Sequence, residues 1–280
     1  MAAAEKRLAA LSSRAANTIE RAAVACLRVD LYMTTDQSDR AVAVGLEYLR
    51  HLGIDWSPHP TEEEARREYE RIWSQLGSRA ILDLIDLPLM SDPASLATVD
   101  LLIRVAVPAF FTSSHLFALA NCRAVNLSLE HGNSDASCVA YEMLAMLAGP
   151  HFGNYEAGFR FGLLGCELVE KPGLRRFQAR TYETFGFVMP WTRHVRMGRD
   201  LLRRGFEIAN QNGDLTYAGY SCGQLNTNLL VAGDPLVETQ REAENGLEFA
   251  QKLGFGLIVA WITRQSKKCR RAQTAWTSIR

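Results

Sequence analysis

Apolar residues recur three and four positions apart along nearly the whole chain, the spacing of helices with one buried face. Over residues 2–32 the stripe is Leu8, Leu11, Ala15, Ile19, Ala22, Ala23, Cys26 and Leu27, which predicts one long helix. It opens beside Met1 without a cap, as though a longer helical chain had been cut. A turn at residues 36–39 follows, where Ser38 or Asp39 can cap a second helix ending at Gly53. The stripe breaks at IDWSPHP, residues 54–60. Thr61 and Glu64 then form a capping box that opens a charged helix through about Leu76, its acidic first turn matched to the positive end of the helix dipole. A further helix is predicted over 78–86, and Ser91-Asp92-Pro93 caps the next with a proline in its first turn. From Pro93 the pattern becomes paired: helices over 93–110 and 113–131, 134–148 and 154–171, 174–188 and 191–212, 214–231 and 235–253. The β-branched residues fall in helical windows rather than alternating runs, so no strand is predicted.

A nine-residue unit sits on this pattern four times: GLEYLRHLG (45–53), GCELVEKPG (165–173), GFEIANQNG (205–213) and GLEFAQKLG (246–254). A weaker copy, AVNLSLEHG (124–132), has Ala124 for the first glycine and Asn126 for the glutamate. The closing glycines Gly132, Gly173, Gly213 and Gly254 lie 41, 40 and 41 residues apart, and Gly53 precedes Gly132 by 79. A period near 40 points to an array of helical hairpins. The closing glycine stands where a helix stops in a left-handed backbone conformation. The opening glycine lies inside a helix, where it costs about 1 kcal/mol against alanine. Its recurrence predicts a partner helix crossing so closely that a side chain does not fit. The glutamate two residues on lies about 200° around the helix and should face solvent.

Composition narrows the chemistry. Hydrophobic residues make up 48% of 280, enough for a continuous core, and 31 basic residues balance 31 acidic ones. No global field draws the chain to nucleic acid or an anionic membrane. Cys26, Cys122, Cys138, Cys166, Cys222 and Cys269 lack C-x-x-C spacing and fall on apolar faces, as buried thiols of a reducing compartment do. The N-terminus has no apolar signal segment, and no run of 18 or more apolar residues predicts a membrane span. These features imply a cytoplasmic protein.

No phosphate-binding G-x-x-x-x-G-K-[ST], no H-E-x-x-H, no kinase catalytic loop and no G-x-S-x-G occurs. GFRFGLLG (158–165) is glycine-rich but lies inside a predicted helix with no strand before it. His59 with Glu62 and Glu63 lacks a third metal ligand nearby. The reading is therefore no catalytic residue, no cofactor and no metal. His131 to Asp135 reads as a helix stop followed by a cap. PWTRHVR (190–196) supplies candidate partner-contact residues Trp191, Arg193, His194 and Arg196, since tryptophan and arginine together are common anchors of protein contacts. The alternative is a turn in which Trp191 packs on a neighbouring hairpin.

The hairpins, with small residues at the crossing and an A/G-L-E near the end of the second helix, resemble tetratricopeptide-type repeats of longer period. More finely, the chain resembles the helical-repeat region of very large bacterial signalling proteins. These join a protein-kinase-like domain, a STAND-type ATPase, a GAF sensor and often a histidine kinase. The stretches that carry the likeness are LGIDWSPHPTEEEARREYERIWSQLG (52–77), DLPLMSDPASLATVD (86–100), VNLSLEHGNSD (125–135), GFRFGLLG (158–165), MPWTRHVR (189–196) and QREAENGLEFAQK (240–252). The likeness covers about residues 15 to 265 and includes no catalytic motif.

The resulting expectation is an all-α, right-handed superhelix of stacked hairpins: one helical-repeat domain over 1–265 with a helical insertion at about 54–92. Residues 266–280 read as a basic tail, disordered or a truncation scar, because from Arg264 there are six basic residues, no acid and no apolar stripe. The implied function is a scaffold or regulatory arm that contacts a protein or the neighbouring domains of a larger signalling protein. A kinase or ATPase activity belonging to the parent protein and a small-ligand sensor binding in the superhelical groove are the rivals. Phe255, Leu257, Ile258 and Trp261 read as an exposed apolar side on an unpaired terminal helix, which predicts self-association.

Overall fold

The computed structural model describes residues 2–35 and 37–277, and these are all-helical apart from turns and loops. The chain divides into two compact units, 1–168 and 169–280, where the sequence pattern suggested a single domain over 1–265.

The first unit holds α1 (Ala2–Arg14), α2 (Thr18–Thr34), α3 (Ser38–His51), α4 (Glu62–Leu76), α5 (Pro93–Thr112), α6 (Ser114–His131), α7 (Asp135–Ala148) and α8 (Tyr155–Leu168). Pairs α2/α3, α5/α6 and α7/α8 form hairpins. The first helices α2, α5 and α7 pack in series, and α3 and α6 each also pack on the first helix of the next pair. The second unit holds α9 (Gln178–Val188), α10 (Arg199–Asn212), α11 (Leu215–Val231), α12 (Leu236–Leu253) and α13 (Gly256–Thr277), and repeats the arrangement. Here α9/α10 and α11/α12 are the hairpins, α9, α11 and α13 pack in series, and α10 and α12 lean on the next first helix.

The repeated unit behaves as its chemistry requires. The closing glycines Gly53, Gly132, Gly173, Gly213 and Gly254 all have positive φ. Glu47, Glu167, Glu207 and Glu248 are exposed, and all four opening glycines are buried. A Cβ on Gly165 would stand 2.7 Å from the Cys138 carbonyl oxygen of α7; one on Gly205 would stand 3.2 Å from the Ala179 carbonyl oxygen of α9. These two crossings are backbone on backbone. At Gly246 the neighbours are side chains, Ile262 at 3.3 Å and Cys222 at 3.4 Å, and at Gly45 the neighbour is Val105. GFRFGLLG is explained by the same contact, since Gly158 and Gly165 lie one above the other on the α8 face that meets α7.

Four expectations are corrected. The predicted helix over 2–32 breaks at residues 15–17, because Asn17 caps α2 through the Glu20 amide (2.9 Å) and Glu20 answers to the Ala16 amide (2.8 Å). The helix predicted over 78–86 is a short 3-10 segment, Ile81–Asp86. The expectation that no run of 18 or more apolar residues occurs is unchanged, although by length and composition α5 is apolar enough to cross a membrane. In this structure Leu101, Leu102, Ile103 and Val105 are fully buried in the core of the first unit, and Asp100 pairs with Arg104 at 2.7 Å. Finally, α13 runs to Thr277, through the segment read as a disordered tail; residues 278–280 lie outside the described residues. Its inner face continues through Gln265, Ser266 and Cys269, all buried. The buried amide of Gln265 accepts from Asn226 (2.7 Å) and donates to Thr227 (2.6 Å). The apolar side expected to lie open is also closed: Ile258 is buried, and the rings of Phe255 and Trp261 sit on Gly219 and Gly223 of α11, where a Cβ would collide with them. Of the four residues, only Leu257 is exposed.

The insertion docks onto the first unit. Its capping box at Thr61 and Glu64 forms as predicted, and α4 lies along α6. Tyr69 of α4 stacks on Phe152, ring centroids 3.8 Å apart. The segment after the 3-10 turn is clamped by Asn133, which exchanges main-chain hydrogen bonds with Pro88 and Met90 (2.8 Å each) and donates its side chain to the Leu84 carbonyl (2.8 Å). Gly132 is therefore more than a helix stop, because a Cβ there would run into the Pro88 carbonyl.

Candidate partner-contact site

The candidate site lies in the second unit, where α9 turns into α10. Helix α9 ends in a 3-10 turn, Met189–Trp191, with Pro190 in its first positions, where a missing amide hydrogen does no harm. Amides of Thr192 and Arg193 close back on the Met189 carbonyl at 3.2 and 3.0 Å. His194 then starts a second 3-10 turn, Val195–Gly198, its Nδ1 accepting from the Arg196 amide at 3.3 Å. Two glycines let this loop fold tightly back. A Cβ on Gly198 would strike the Gly186 carbonyl, and one on Gly186 would stand 2.9 Å from the Gly198 carbonyl.

The loop is tied to the end of α11. Asn228 donates to the Val195 carbonyl (2.7 Å) and accepts from Arg199 Nε (3.2 Å). Arg199 forms an ion pair with Asp234, and Arg196 approaches the same carboxylate at 3.5 Å. Arg193 donates to the Thr192 carbonyl at 3.0 Å. Trp191 meets Phe187 edge to face, centroids 5.7 Å apart, and remains 37% exposed.

Between these parts is a groove of about 160 Å³. Phe187, Trp191, Val195, Leu202 and Val231 form apolar walls, while Gln224, Thr227 and Asn228 supply polar groups at its side. Small-molecule sites usually measure about 300–1,000 Å³. This one is the size of a single large side chain. A cavity of about 370 Å³ in the first unit, between α1 and the α2/α3 pair, has charged walls, and an Arg40–Glu5 pair at 2.9 Å stands in it.

Of the four residues singled out by sequence, Trp191 lines the groove. His194 is a cap, Arg196 is held near Asp234, and Arg193 turns onto its own loop. Sequence reasoning missed Gly186, Gly198, Asn228 and Asp234, which build the site. The glycine pair carried a signal, being two further buried glycines flanking a Pro-Trp turn. The polar pair carried none, because its partners lie about 30 residues away.

Glu62 and Glu63 pair with Arg66 and Arg67 at 2.9 Å, one turn on in the same helix. Among the described residues no group of three His, Cys, Asp or Glu side chains is placed to hold a metal. Burial pushes the thiols of Cys122, Cys138 and Cys222 up, away from the thiolate form that reacts.

No family model matches the chain. Over 254 residues it is 22% identical to hybrid signal transduction histidine kinase G of Dictyostelium discoideum, a match that covers 83% of this chain and 7% of that protein. The chain thus corresponds to a small part of its relative's length. Its all-helical fold and this similarity fit a region of a signalling protein.

Proposed function

We propose that the chain is a non-catalytic scaffold or regulatory arm of a large signal-transduction protein of the bacterial type its sequence phrases resemble. In this reading the hairpins stack as a right-handed superhelix of period near 40, and the arm works in the cytoplasm. It relays contact between a partner protein, or neighbouring ATPase and kinase domains, and the rest of the assembly. The observation that carries the reading is the groove beside Trp191: side-chain-sized, apolar, and held by hydrogen bonds from two helices. An exposed tryptophan over a pre-formed pocket is the usual form of an anchor point in protein contacts. The hairpin packing within each unit and the similarity to a histidine kinase support it further.

Photo-crosslinking tests this. Benzoylphenylalanine would replace Trp191, and the chain would be mixed with purified kinase and ATPase regions of its parent protein. Crosslinking to one defined region, abolished when Val231→Arg fills the groove, is the expected result. Crosslinking that Val231→Arg leaves unchanged would remove the groove from the account.

A further inference from the structure

Helix α13 has a second face that the groove does not involve. Ile258, Ile262, Gln265, Ser266 and Cys269 turn inward. On the opposite side Arg264, Lys267, Lys268 and Arg271 are exposed, at i, i+3, i+4 and i+7. That spacing gathers four cations within about 100° of helix surface. No acid occurs from residue 249 to residue 280. One and two turns towards the N-terminus the same face carries Ala260 and Leu257, both exposed.

The unit itself shows what covers a basic position on this helix. Arg270 lies to one side of the row, and Glu244 of α12 meets it at 3.1 Å. One turn earlier on α12, Gln240 meets Ser266 at 3.0 Å. A helix with polar and acidic residues one turn apart is therefore the surface that α13 already accepts along one flank. We propose that the outward row docks a second such helix from a partner. That helix would carry carboxylates spaced three and four residues apart, with an apolar residue against Leu257 and Ala260. A membrane is a poorer occupant, because Ile258 and Ile262, which would enter it, face inward. This proposal stands independently of the Trp191 groove.

The test uses the full chain and a labelled, stapled helical peptide with glutamates at i, i+3, i+4 and i+7. A second peptide has the same composition with the glutamates scattered around the helix. The patterned peptide should bind about tenfold more tightly than the scattered one, and more weakly as salt rises. Lys267→Glu with Lys268→Glu should abolish the preference, and so should Arg264→Glu alone, with the melting temperature unchanged because these side chains are exposed. Equal binding of the two peptides, or binding that survives the charge reversals, overturns the proposal. Tighter binding of phosphatidylserine vesicles or duplex DNA through the same residues also overturns it, in favour of a different anionic partner.

Discussion

Asn126 of α6 donates from its Nδ2 to both the main-chain oxygen (2.8 Å) and the carboxylate (2.9 Å) of Glu68 in α4. This contact explains why the fifth copy of the nine-residue unit departs from the others. Four copies place a glutamate at this register, facing water. In α6 the inserted helix α4 covers the position, Asn126 is completely buried, and a neutral donor replaces the acid. Asn126→Ala should destabilise the first unit by about 1–3 kcal/mol, the usual loss on removing a hydrogen bond to a charged group, with Arg123 still beside the partly buried Glu68 at 3.5 Å. Asn126→Glu restores the residue of the other copies but sets a second carboxylate beside Glu68, so it should be worse than alanine. Urea midpoints of the two variants give the order.

The opening glycines are not equivalent. A methyl at Gly165 meets a carbonyl oxygen at 2.7 Å, whereas at Gly246 it meets the end of a flexible isoleucine side chain at 3.3 Å. Alanine gains about 1 kcal/mol of helix propensity at either position. Gly246→Ala should therefore be neutral or stabilising, Gly205→Ala close to neutral, and Gly165→Ala destabilising. Gly205→Leu should lower the midpoint well below Gly205→Ala, by about 1–3 kcal/mol of overpacking or more. The exposed Glu207→Ala should change it by about 0.5 kcal/mol at most. Equal midpoints for Gly165→Ala and Gly246→Ala would show that the crossings yield.

Glu183 of α9 is buried, which pushes its carboxyl up to about 7, with Thr184 and Arg180 acting in the opposite direction. Its folded value thus exceeds the unfolded one, near 4.5. The stabilising effect of holding that proton is complete below pH 4.5 and disappears as pH rises through about 7. The second unit should lose stability across this window, by an amount on the order of a few kcal/mol. Glu183→Gln should flatten the slope and leave the variant more stable than the parent at pH 8. Thermal melts between pH 5 and pH 8 read both effects.

What could be read from sequence was local. The Thr61–Glu64 box, the caps at Asp92 and Ser134 and the glycine helix stops depend on residues a few positions apart, and all are present. The misreadings have non-local causes, apart from the break at residues 15–17, which the local cap between Asn17 and Glu20 makes. The buried face of α13 looked solvated because Gln265 and Ser266 are polar, yet their partners Asn226 and Gln240 lie on other helices. The break at residues 15–17 was hidden because alanines continue the apolar stripe through it. At the candidate site, the sequence singled out Trp191 by residue type. Its setting depends on Gly186 meeting Gly198, hinted at by glycines flanking a Pro-Trp turn, and on Arg199 meeting Asp234, which no period or motif encodes.

The central proposal is contact without chemistry, and ATP turnover by the purified full chain tests it most directly. Phosphate release would be followed over a range of ATP concentrations with magnesium present, against a preparation of Trp191→Ala purified in the same way. The account predicts release at the no-protein level for both. Saturable hydrolysis that scales with chain concentration and persists through a second, orthogonal purification would contradict it.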